Sequence, residues 1–196
     1  MLLHQSLVMI DEETLSLWSH ILGESTDGPL EGSELELIPS VLTDWESWLQ
    51  SHPETTVCMM SRTAEHHRRL NGPLSEQLCI GLSEDDQTRC WTFPLMARRR
   101  VINDKIGDRP VLVVFDNEHG AALLFDRRFK RQLLTFEEQD GALVDRETGS
   151  EWDRMLGVAV SGEMEGNRLQ QLPGIVSYLE RWQGFHPDGE TIDEDD

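Results

Sequence analysis

The chain has 196 residues, enough for one ordinary core or two small ones. Its hydrophobic share of 38% and its six Trp exclude a disordered composition. Acids outnumber bases 37 to 17, for a net charge of −20, so no excess cation exists to displace phosphate counterions or to hold an anionic membrane. The expectation for partners is therefore no nucleic acid and no membrane insertion. No run reaches the roughly 20 apolar residues that span a bilayer. The start, Met1-Leu2-Leu3-His4-Gln5-Ser6, lacks the basic flank and long apolar run of a signal peptide, so the chain as written reads as cytoplasmic.

Taken in order, the elements are organised by an internal repeat. Residues 11–53 recur at 145–187 at one constant offset without a gap, with sixteen identities. These include Asp11/Asp145, Thr14/Thr148, Ser16/Ser150, Trp18/Trp152, Gly28/Gly162, Trp48/Trp182 and His52/His186. Such self-similarity fixes the architecture before any other reading. The stretch from Asp11 to Ser16 reads as a turn. In the second copy Gly149 suits a left-handed position, whereas Leu15 disfavours positive φ, so the two turns are expected to differ. A glycine-punctuated stretch, Gly23 to Gly32, predicts a tight hairpin leading to a strand at Leu35, stopped by Pro39. Thr43 with Glu46, and Ser177 with Glu180, are spaced as capping boxes that open short helices. Those helices carry Trp48 and Trp182 and end at His52-Pro53 and His186-Pro187.

Between the copies, Val57-Cys58-Met59-Met60 predicts a strand, and residues 65–88 read as a polar linker or surface excursion. Cys90 to Leu95 predicts a strand and Met96 to Lys105 a short helix. Val111 to Phe115 is an apolar run fit for a buried strand, and Asn117-Glu118-His119-Gly120 turns into another at Ala121 to Phe125. Gln132 to Phe136 and Ala142 to Val144 are further strands. The expected organisation is an incomplete first unit (1–56), a connecting strand and polar excursion (57–88), a complete second unit (89–191) and an acidic tail (192–196). The fold class is α+β: strand-rich, mainly antiparallel, a tandem duplicated unit with short capped helices.

Chemistry-bearing residues are sparse. Cys58, Cys79 and Cys90 form no Cys-x-x-Cys pair; isolated buried thiols are favoured over a Cys79–Cys90 disulfide. Arg98-Arg99-Arg100 is singled out as the basic cluster, able to meet an anionic ligand or the chain's own acidic face. Asp116 and His119 can both bind a metal, but two ligands are too few for a closed site and a polar turn is the favoured reading. Asp11/Glu13 and Asp145/Glu147 have acid–base chemistry available, yet their turn setting favours turn hydrogen bonding. His66-His67-Arg68-Arg69 reads as a solvated loop, and the repeated Trp residues read as core. No residue is assigned a catalytic role, and no cofactor is identified.

Several motifs together resemble a bacterial and archaeal family known as domain of unknown function 3179. They are Asp11-Glu12-Glu13-Thr14 with Leu17-Trp18-Ser19, Gly28-Pro29-Leu30-Glu31-Gly32, and Trp45, Trp48 and His52-Pro53. In the second unit they are Phe93-Pro94-Leu95, Val101-Ile102-Asn103-Asp104, Phe125-Asp126-Arg127 and Asp145-Arg146-Glu147-Thr148-Gly149-Ser150 with Trp152. The resemblance implies that complete units carry a His before the Asn-Asp pair and a Cys-Pro-Leu-Cys-Gly-like turn between two strands. Some members have selenocysteine there. Laid on this chain, the two sulfur positions fall on Asp116 and His119, and the His falls on Arg99. The expectation is that the second unit lacks the sulfur site. The first unit would carry it upstream, and the chain would be the truncated, downstream part of a longer protein, exported if such an upstream segment exists. The leading functional expectation is a non-catalytic portion supporting a thiol or selenol redox or metal site. The alternative is a self-sufficient small-ligand or anion-binding module using the inter-unit cleft and Arg98–Arg100.

Overall fold

A computed structural model describes residues 2–3, 6–57 and 77–193. The segment 58–76 lies outside the described residues, and with it Cys58, His66-His67-Arg68-Arg69 and most of the strand expected around Val57; so does most of the acidic tail.

Strands β1 (Leu2–Leu3), β2 (Ser6–Ile10), β3 (Leu17–Ser19) and β4 (Glu24–Asp27) form a four-stranded antiparallel sheet in chain order, followed by helix α1 (Trp45–Ser51). Next come β5 (Leu78–Glu84), β6 (Gln87–Thr92), α2 (Phe93–Arg98), β7 (Val101–Ile106), β8 (Arg109–Asp116) and β9 (Ala121–Asp126). The chain continues through β10 (Arg128–Phe129), β11 (Gln132–Leu133), β12 (Phe136–Gln139), β13 (Ala142–Asp145), β14 (Glu151–Trp152) and β15 (Ala159–Ser161). It closes with β16 (Ile175–Tyr178), α3 (Leu179–Phe185) and β17 (Glu190–Ile192). Strands β12 to β15 repeat the first sheet's order, β7-β8-β9 form a three-stranded sheet, and β16-β5-β6-β17 form a mixed one in which β17 runs parallel to β6. The fold is α+β, strand-rich and mainly antiparallel.

The two copies of the motif take one register. Met9 faces Trp18 and Leu143 faces Trp152; Trp18 faces Ser25 and Trp152 faces Ala159; both ladders slip at the residue before the Trp. Each turn is knitted by its Asp. The Asp11 carboxylate accepts from the Thr14 N–H at 2.6 Å, the Thr14 hydroxyl at 2.6 Å and the Trp18 indole at 3.1 Å. Asp145 accepts from the Thr148 N–H at 2.7 Å, its hydroxyl at 2.8 Å and the Trp152 indole at 2.9 Å. The hydroxyls of Ser16 and Ser150 then accept the N–H groups of Leu30 and Met164. Gly28 and Gly162 pass so close that a Cβ would lie 2.8 Å from the Ser16 and Ser150 Cα atoms, and both have positive φ, so only glycine fits.

Several sequence expectations are corrected. Leu15 adopts φ 62°, beside φ 68° at Gly149, so the turns match: the Asp11 carboxylate over-determines this backbone against the leucine's preference. The helix caps are Asp44 and Tyr178 instead of Thr43 and Ser177; Asp44 accepts from the Ser47 N–H at 2.9 Å, whereas Tyr178 makes no side-chain cap bond. Ser177 instead pairs with Cys79 in the β16–β5 ladder. The polar reading of 65–88 fails at Leu78–Glu84, a mostly buried strand paired with β6 through the Asp85-Asp86 turn. The strand at Cys90 ends at Thr92, and the helix is Phe93–Arg98, because Thr92 caps it and Pro94 fits its first turn. The stretch from Met96 to Lys105 is therefore split: α2 ends at Arg98, and β7 begins at Val101 after two intervening residues. Gln132 to Phe136 is not one strand but parts of β11 and β12.

Among the described residues, three apolar clusters hold the fold together. One lies between the mixed sheet and one face of β7–β9, around Ile80, Trp91, Met96 and Leu124. The second lies between the other face of β7–β9 and the second motif, where Leu112, Val114, Leu123 and Phe125 meet Leu143, Trp152, Met164 and Leu169. The third joins the copies: Ile21 packs with Cys79, Cys90 and Trp182. All these side chains are at most 8% exposed.

Candidate functional site

The end of the β8–β9 hairpin gathers all five residues singled out from the sequence. Asn117 donates to the Ala97 carbonyl at 3.0 Å and the Phe115 N–H to the Arg100 carbonyl at 2.9 Å, so the turn and the end of α2 sit side by side. Asp116 makes the turn: one carboxylate oxygen accepts the N–H groups of Glu118 at 2.9 Å and His119 at 3.3 Å. The His119 ring reaches across to the first copy, placing Nδ1 at 2.5 Å from Asp44, the residue that caps α1. Asp44 pushes the His119 pKa above its ordinary value of 6.5, aided by the charges of Asp116 and Glu118 and opposed by burial. The Ser47 N–H, then His119, hold Asp44 below its ordinary 3.8. Protonated His119 therefore donates to the Asp44 carboxylate, which also caps α1.

This arrangement uses Asp116 and His119 as a clamp between copies. Among the described residues no group of three or more His, Cys, Asp or Glu is placed to hold a metal ion. The arginines do not converge on one point. Arg98 ends α2, Arg99 caps it through its N–H to Leu95, and Arg100 pairs with Glu138 at 2.5 Å. Glu138 also meets Arg154 at 3.3 Å, so Arg100 serves the chain's own acidic face. The cysteines described, Cys79 and Cys90, are free thiols with 0% exposure, on adjacent strands beneath Trp182.

Sequence reasoning missed a second place. A groove of about 630 Å³ is lined by Lys105, Arg127, Arg128, Lys130 and Arg131, with Asp104, Asp108 and the half-exposed Leu133. Asp104 is already matched by Arg89 at 2.7 Å and the Trp91 indole at 2.8 Å, and Arg128 by Asp126 at 3.2 Å. The Arg127 guanidinium is held by the carbonyls of Leu134 at 3.0 Å and Asp104 at 3.1 Å, and burial pushes its pKa down. The signal was present in the sequence: Arg127-Arg128-Phe129-Lys130-Arg131 is more basic than Arg98–Arg100.

Three of the residues that carried the family resemblance, Asn103, Asp126 and Glu147, turn out to be braces. Asn103 of β7 exchanges two hydrogen bonds with the Phe136 backbone, at 2.7 and 2.8 Å, tying β7 to β12. Asp126 receives Arg109 at 3.1 Å as well as Arg128, and Glu147 accepts the Thr135 N–H at 2.7 Å. Among the described residues no helix is long and apolar enough to cross a membrane.

No curated protein and no solved structure matches the chain. One family model does, over residues 1–76 and again over 73–196, which together span the whole sequence. The chain belongs to the family described as protein of unknown function (DUF3179).

Proposed function

We propose that this chain is a non-catalytic, supporting portion of its family's architecture, serving a thiol or selenol redox or metal site carried upstream of it. One observation carries the reading. At the two positions where the resemblance puts sulfur, Asp116 closes its own turn and His119 reaches the Asp44 helix cap. The local chemistry is that of a structural clamp: both side chains have partners, and the described thiols are buried elsewhere. The net charge of −20 supports a partner other than nucleic acid.

The test uses the purified chain. Zinc titration is expected to leave its melting temperature unchanged. Thiol labelling, read peptide by peptide, is expected to leave Cys79 and Cys90 unmodified until denaturant is added. Saturable zinc binding that raises the melting temperature and is lost in His119→Ala would overturn the reading.

The cationic groove favours a second reading, an anion-binding module, with the ligand held by Lys105, Lys130 and Arg131 instead of by Arg98–Arg100. Inorganic phosphate or citrate would then stabilise the chain saturably, and Lys130→Glu with Arg131→Glu would abolish the effect.

A further inference from the structure

The two copies of the motif differ in one respect that their matching backbone throws into relief. In the second copy the apolar face is closed: Leu143 is 1% exposed, Met164 8%, Leu169 2% and Leu172 3%. Leu143, Met164 and Leu169 pack on the face of β8 and β9 formed by Leu112, Val114, Leu123 and Phe125, and Leu172 packs beside Leu124 on the other face of the sheet. The equivalent residues in the first copy are apolar at each position, yet Met9 is 48% exposed, Leu30 38%, Leu35 53% and Ile38 81%. Local hydrogen bonds do not account for the contrast. The Leu35 N–H donates to the Gly23 carbonyl at 2.7 Å, and the Leu169 N–H to the Gly157 carbonyl at 2.8 Å. What differs is the covering sheet.

A second difference points the same way. Ile175–Tyr178 is a strand because β5 pairs with it; the equivalent residues, 41–44, form no strand, and among the described residues none pairs with them in that way. Large apolar side chains left exposed at the positions that a repeat buries in its other copy mark an interaction surface. The repeat also states what covers it, since its own second copy shows the complement.

We infer that the exposed face formed by Met9, Leu30, Leu35 and Ile38 is a docking surface for the strand-rich front half of a further unit of this family, a three-stranded antiparallel sheet built like β7–β9. This deepens the supporting role proposed above by naming its surface and partner, and it rests on that reading only for the chemistry the partner carries. The occupant differs from β7–β9 at one point. A Cβ at Gly174 would lie 2.8 Å from the ends of Ile80 and Leu124, and the first copy has Ser40 there. The partner therefore carries smaller or displaced side chains opposite Ser40.

The experiment builds the complement from the chain itself. A second copy of residues 77–139 is placed directly ahead of Ser6, where the constant offset reproduces the junction of Gln139 with Asp140, and Ser40→Gly is included to remove the close approach. Oxidation of Met9 by dilute peroxide is followed by peptide mass spectrometry, beside amide exchange of the grafted segment. Met9 is expected to oxidise at least tenfold more slowly in the grafted protein than in the parent chain, and Leu35→Glu in the graft to restore the parent rate. Leu35→Glu in the parent chain is expected to lower the melting temperature by no more than about 4 °C, because Leu35 is already 53% exposed there. An exchange-protected graft with an unchanged Met9 rate overturns the inference, and so does a graft that stays unprotected. Concentration-dependent protection of Met9 in the parent chain overturns it too, because a second copy would then be the occupant. Zinc and thiol measurements on the parent chain are independent of these outcomes, so the supporting role and the docking surface can fail separately.

Discussion

Truncating the same leucine in the two copies isolates the value of the covering sheet. Leu169 is 2% exposed and lies in the cluster between β8–β9 and the second motif, so Leu169→Ala removes three buried carbons and leaves a cavity. Such changes cost about 3–4 kcal/mol in well-packed cores. Leu35 occupies the equivalent backbone position with 53% exposure. About half of its transfer free energy is absent and no closed cavity forms, so Leu35→Ala is expected to cost roughly 1 kcal/mol or less. With a urea m-value of about 2 kcal/mol/M for a chain of this size, the first substitution moves the midpoint down by about 1.5–2 M and the second by less than ~0.5 M. Tryptophan fluorescence during urea unfolding, supported by far-UV circular dichroism, reads both. Equal shifts would refute the reasoning, because they would mean that the first face is as closed in solution as the second.

Three further outcomes follow from individual residues. Leu15→Gly relieves positive φ at an exposed position and is expected to raise stability by about 0.5–1 kcal/mol in the same urea assay, after the entropic cost of glycine. Gly81→Ala brings a Cβ within 2.4 Å of the buried Trp182 ring and is expected to lower the melting temperature markedly, whereas Gly32→Ala meets no atom within 4 Å and carries only the strain of φ 79°. The His119 clamp gives a pH dependence with a definite sign. His119 is shifted up from 6.5 and Asp44 down from 3.8, so the contribution is present between these values and is lost as pH rises through the elevated His119 pKa or falls through the depressed Asp44 pKa. The melting-temperature difference between the parent and His119→Gln is expected to be largest near pH 5–6 and to close in alkaline buffer; His186, which burial shifts down, is common to both proteins and cancels in the difference.

The sequence made the motif legible because its information is local. An Asp three residues before a Thr, with Ser and Trp at fixed spacing, is a self-contained hydrogen-bonded turn, and two copies at one offset point to one geometry. The β8–β9 hairpin was legible for a similar reason, as two apolar runs around a polar turn. What failed depends on partners distant in sequence. Ser177 reads as a cap, but β5 recruits it into a ladder across almost a hundred residues of chain. Leu78–Glu84 hides among polar neighbours because its burial comes from Trp91 and from the helix that carries Trp182. Leu15 defies its own φ preference because a carboxylate four residues earlier fixes the turn. At the candidate site, Asp116 as a turn residue could be read locally, whereas the reach of His119 to Asp44 could not. The basic stretch at 127–131 was visible in the sequence, but the groove it lines depends on β7 lying beside it.

The most direct test of the account is a photo-crosslinker in place of Ile38, the most exposed apolar residue of the uncovered face, introduced into the protein in its source cells. The account predicts a crosslink to the strand-rich front half of a DUF3179 unit, mapped by mass spectrometry to strands equivalent to β8 or β9. A crosslink to the same face of a second copy of this chain, to a protein outside the family, or to no protein at all would contradict it.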